Sequence, residues 1–134
     1  MFGRKSRETI DSLIGASTTI DGHIRFRGGL RLDGQVKGSV IAEPGEASML
    51  VISEQARVEG EVRAAHLIIN GQVTGPVYST EQLELQPHAR ITGDVQYHAL
   101  EMHGGAQVSG KLSHDQDDEP LLKLARPSAN SRAG

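Results

Sequence analysis

The chain has 134 residues, with 14 Lys+Arg against 17 Asp+Glu and a formal charge of −3. That is the length of one domain and not the charge of a polycation, so no nucleic-acid partner is expected. The absence of cysteine removes disulfides, thiolate zinc sites and cysteine nucleophiles, and two Phe, two Tyr and no Trp beside 16 glycines exclude a globule packed on aromatic rings.

The chain opens with Met1 and Phe2 followed by Arg4, Lys5 and Arg7. No apolar h-region or cleavage signal follows, so the segment does not read as a secretory leader, and a cytoplasmic location is expected. Two apolar side chains and three cations form instead a candidate anchor on an anionic bilayer. Each cation contributes ~1 kcal/mol near such a surface, and many copies on a polymer would add by avidity. No apolar run approaches the ~20 residues of a spanning helix. Residues 1–12 are assigned to a disordered basic tail.

From Ile20 onward one pattern recurs six times, apolar-x-Gly-x-apolar, with its glycines at Gly22, Gly38, Gly60, Gly75, Gly93 and Gly110. A double-apolar element precedes each of the last five: Leu30/Leu32, Leu50/Ile52, Leu67/Ile69, Leu83/Leu85 and Leu100/Met102. Ile14 stands where the first would fall. Parity decides what this repeat builds. Leu30, Leu32, Gly34, Val36, Gly38 and Val40 are all even, so on extended backbone they share one face, while Arg31, Asp33, Gln35, Lys37 and Ser39 share the other. From each double-apolar element to the next valine or isoleucine the step is six or eight, always even, so a two-residue insertion keeps the dry face dry.

A unit of this length cannot bury its own dry face, but stacked units close a narrow continuous core. The expected fold is therefore all-β, a parallel β-helix (β-solenoid) of about six rungs over residues 13–113. A loosely packed antiparallel sandwich is the alternative. The recurring glycine is read as pointing inward and making room at a corner. Stacking predicts an outer column of Asp21, Lys37, Glu59, Thr74, Thr92 and Ser109. Pro76 lacks a ladder donor, so a local bend or an altered corner is expected there. The segment 42–48 reads as a loop bulging from one corner.

Six histidines raise metal and acid–base chemistry, but none has a paired spacing and no acidic residue completes a ligand set with them in the sequence. No nucleophile elbow or phosphate loop is present. No catalytic, cofactor or metal site is expected. A β-helix acyltransferase is an alternative, but its hexapeptide period fails in every rung. A monomeric β-helix adaptor is the other.

Residues 114–134 read as a disordered acidic and polar tail with one apolar island at Leu121–Leu124. Monomeric solenoids need polar caps. Here the last rung is as apolar as the middle ones, so Ile14, Ile20 and Ile24 at one end and Leu100, Met102, Val108 and Leu112 at the other are candidate polymerisation surfaces.

Three phrases carry a family resemblance: Leu13-Ile14-Gly15 with Thr18-Thr19-Ile20-Asp21-Gly22, then Leu30-Arg31-Leu32-Asp33-Gly34-Gln35-Val36-Lys37-Gly38, and Ile69-Asn70-Gly71-Gln72-Val73-Thr74-Gly75. Through them the chain resembles the bactofilins, bacterial polymer-forming cytoskeletal proteins. The resemblance implies a right-handed β-helix that forms filaments without nucleotide or cofactor. It implies a cytoplasmic homopolymer, often at the inner face of the membrane, that positions cell-wall-modifying enzymes or other envelope proteins and affects cell shape. Many members have Phe in the last V-x-G element. Val108 stands there in this chain, which implies a weaker or differently packed end contact.

Overall fold

The computed structural model describes residues 10–114, and they form a parallel β-solenoid of six turns. Each turn contributes a strand to three columns. The first column is β2 (Thr19–Asp21), β5 (Gln35–Lys37), β8 (Arg57–Glu59), β10 (Gln72–Thr74), β12 (Arg90–Thr92) and β15 (Gln107–Ser109), a separate six-stranded sheet. The second runs through β3 (Ile24–Phe26), β6 (Val40–Ala42), β9 (Val62–Ile69), β11 (Val77–Leu85), β13 (Val95–Tyr97) and β16 (Leu112–His114). The third holds β1 (Ser12–Ile14), β4 (Gly28–Leu32), β7 (Ser48–Ile52), the later halves of β9 and β11, and β14 (Ala99–Met102).

The registers follow the sequence repeat. Ile20, Val36, Val58, Val73, Ile91 and Val108 stack in the first column. Leu30, Leu50, Leu67, Leu83 and Leu100 stack in the third, and Ile14 pairs with Leu32. Alternation turns these side chains inward, where the Leu, Ile and Val of the middle rungs are buried. Burying each such side chain stabilises by roughly 1.5–3 kcal/mol, and the core stays slim because each rung adds one thin layer.

Two kinds of corner join the third column to the first. Long corners close with a turn hydrogen bond, Thr18 N–H to Gly15 O, Ala56 to Ser53, Ala89 to Gln86 and Ala106 to His103. Short corners use only Asp33-Gly34 or Asn70-Gly71. At Gly34 and Gly71 a Cβ would lie inside contact distance of the carbonyls of the long corner below, so glycine is required there for space. The six- and eight-residue steps of the sequence are these two corners. The corner between the second and third columns differs from rung to rung. Glu43–Ala47 loops out, as expected, whereas β9 runs straight through. There the Ala65 peptide is buried and completed by hydroxyls: Ala65 N–H donates to Ser48 Oγ at 2.9 Å, and Ser79 Oγ donates to Ala65 O at 3.1 Å.

Two expectations need correction. The repeated glycine is required along the rod axis, not toward the core. Its φ is positive in every rung, and from Gly38 onward a Cβ would collide with the carbonyl of the glycine one rung below. Pro76 leaves the ladder intact. Val62 N–H donates to Pro76 O and Val77 N–H to Asp94 O, both at 2.9 Å, so the ladder passes unbroken. The N–H that proline lacks is one the ladder does not use: the equivalent Ser39 and Lys111 donate theirs to the side chains of His23 and Asp94.

Candidate assembly interface at the rod ends

At the first turn, β1, β2 and β3 each pair with only one neighbour among the described residues, and at the last turn the same holds for β14, β15 and β16. Both ends therefore present open ladder edges, the arrangement that templates another strand. Ile14, Ile20 and Ile24 at one end, and Leu100 and Val108 at the other, pack on the core while only partly buried. Met102 is 44% exposed and Leu112 40%. Leu13, 64% exposed, and Ile10 extend the apolar surface of the first end beyond the residues singled out above. Parity contained the signal for Leu13, which lies one residue before inward Ile14. The second end also gathers rings: Tyr97 and His98 lie 5.7 and 5.9 Å from His114 between centroids. The candidate anchor residues Met1, Phe2, Arg4, Lys5 and Arg7, and the island at 121–124, lie outside the described residues.

The outer face of the first column follows the expected stacking, with Lys37 in register between Asp21 and Glu59. On the third column one histidine meets two carboxylates that its spacing in the sequence does not connect. Glu84 and Glu101 are paired across the ladder, and His103 Nε2 lies 3.0 Å from one carboxylate and 3.2 Å from the other. Gln86 also donates to Glu84 Oε2 at 3.2 Å. The three donor groups fall within 4.8 Å of one another, a spacing a cation can bridge, and His103 itself bridges the two like charges. A search along the sequence misses this set because Glu84 and Glu101 are neighbours only through the rung period.

A shallow groove of about 340 Å³ lies on the same face, between Arg31, Asp33, Ser53, Glu54 and Asn70. A hydrogen bond from Ser53, then Arg31 at 2.9 Å, hold the Asp33 carboxyl below its ordinary value despite some burial. A carboxylate held ionised in this way orients a corner and is a poor general base at neutral pH. Among the described residues no helix is long and apolar enough to cross a membrane.

Comparison with known proteins accords with open rod ends. The family model Bactofilin, described as polymer-forming cytoskeletal, matches residues 12–113. Bactofilin BacO of Myxococcus xanthus is 26% identical over 117 residues, covering 87% of this chain and 90% of that protein. Bactofilin BacP of the same organism is 24% identical over 118 residues, but the chain spans only 48% of its length. Among solved structures, the cryo-EM reconstruction of Thermus thermophilus bactofilin double helical filaments is similar with a TM-score of 0.69 and 34% identity, over 76% of this chain and 98% of that one.

Proposed function

Since the chain belongs to the bactofilin family of polymer-forming cytoskeletal proteins, we propose that its rods join end to end, without nucleotide, into a filament that scaffolds envelope proteins at the inner face of the cytoplasmic membrane. The observation that carries this reading is the pair of rod ends that no described residue covers, with open ladder edges and with Met102 and Leu112 exposed. Ladder bonds across the junction would satisfy the edge N–H and C=O groups, and apposed apolar rims would leave water together. Ile14, Ile20 and Ile24 form the body of one contact surface, and Leu100, Met102, Val108 and Leu112 the other. No residue of the chain needs to turn over a substrate for this role.

Membrane attachment belongs to Met1, Phe2, Arg4, Lys5 and Arg7. A single tail binds weakly, and a filament displaying many of them binds by avidity. The envelope proteins positioned by such a filament would meet its outer columns, where side-chain chemistry varies from rung to rung.

Two measurements test the reading. In nucleotide-free buffer the purified chain should pellet on ultracentrifugation, and Leu112→Lys should stay in the supernatant while melting cooperatively; pelleting unchanged in Leu112→Lys contradicts the end contact. Liposomes with anionic lipid should co-sediment the full chain and release a chain lacking residues 1–7. Equal pelleting of both removes the anchor.

A further inference from the structure

The outward residues of the third column do not match those of the first. Along the rod they read Leu13, Arg31, Val51, Ile68, Glu84 and Glu101, one per rung and in register. The first column is polar on its outer face throughout. Here the two central positions are apolar and half-buried, with Arg31 one rung to one side and Glu84 one rung to the other. Met49 and His66 flank the centre in the next outward column.

From this order we infer that the third face is a lateral contact surface for a second copy of the chain, lying antiparallel. The order is self-complementary about the point between Val51 and Ile68. A two-fold axis in the contact plane, perpendicular to the rods, sets Val51 against Ile68 and Arg31 against Glu84, with Met49 against His66 beside them. Such an isologous contact uses each interaction twice. Parallel rods in the same register would oppose Arg31 to Arg31 and Glu84 to Glu84. Sliding them by three rungs removes the repulsion and half of the overlap. Charge order therefore selects the antiparallel pair. The rim positions Leu13 and Glu101 are its one mismatch.

Both charges keep bonding capacity for a partner. Arg31 gives Nε to Asp33 and retains its terminal nitrogens, and the two contacts of Glu84 both use Oε2. The area fits an interface of the polymer better than one of the free monomer. Six rungs by a five-residue strand cover about 500 Å² per copy, or about 1,000 Å² for a pair, the low edge of stable interfaces. One pair alone is weak, but repeated along two filaments the contact is multivalent. The avidity rests on the end-to-end reading above; the pairing geometry does not.

The chain has no cysteine, so cross-linking reads the geometry without background. Full-length Val51→Cys and Ile68→Cys chains would be oxidised separately and as a mixture, and pelleted in parallel. The expected result is a disulfide dimer in the mixture and little in either variant alone. Arg31→Glu added to both chains should lose the dimer, and Arg31→Glu with Glu84→Arg should restore it. A dimer of Val51→Cys alone as strong as that of the mixture overturns the antiparallel pair. Filaments that pellet without any cross-link overturn the lateral surface and leave end-on assembly standing. A cross-linked dimer that fails to pellet supports the surface and counts against end-on assembly instead.

Discussion

At Gly75 the backbone runs at φ +146°, and a Cβ there would strike the carbonyl of Gly60 one rung below. Gly22 begins the same column at φ +136°, but no atom lies within 4 Å of where its Cβ would be. The pair separates two costs that coincide in the middle rungs. Gly22→Ala bears only the backbone cost, about 1–2 kcal/mol. Gly75→Ala must also push two rungs apart, and a loss of roughly 3 kcal/mol or more is expected. Chemical denaturation of both variants checks this. Equal losses would mean that φ alone demands the glycine and that axial stacking does not.

At the scale of the strand, register makes neighbours of residues far apart in sequence. Lys37 lies between Asp21 and Glu59, so Lys37→Glu would place three carboxylates in one outer column. The melting midpoint should fall by about 2–5 °C at low salt, and molar salt should recover most of the loss. An unchanged midpoint would show that these charges sit too far into solvent to sense each other. This column was legible in the sequence because period-two parity and a glycine once per rung fix which residues stack. The corners were less legible. Ala56 and Ala89 are buried there and Ser48 and Ser79 complete a buried peptide, yet small residues carry no periodic signal. Glu84, Glu101 and His103 were within reach, since Glu84 follows Leu83 as Glu101 follows Leu100. Finding them needed the rung alignment to be applied to the outward residues of the third column as well as to the first.

For the whole molecule, the described residues form six layers without caps, a rod whose ends resemble its interior. Scarce aromatics and abundant glycine follow from that cross-section: each layer is one Leu, Ile or Val deep on each side, and the glycines let the layers close on one another. On the proposed end-to-end contact, polymerisation amounts to adding a further layer contributed by another chain. The most direct test is the diffraction of nucleotide-free filaments, aligned as fibres or averaged from electron micrographs. If rods join end to end, the ~4.8 Å strand spacing lies on the meridian, parallel to the filament axis, and the subunit rise is about 29 Å, six rungs long. A 4.8 Å spacing on the equator, or filaments whose subunit rise is unrelated to six rungs, would contradict end-to-end assembly.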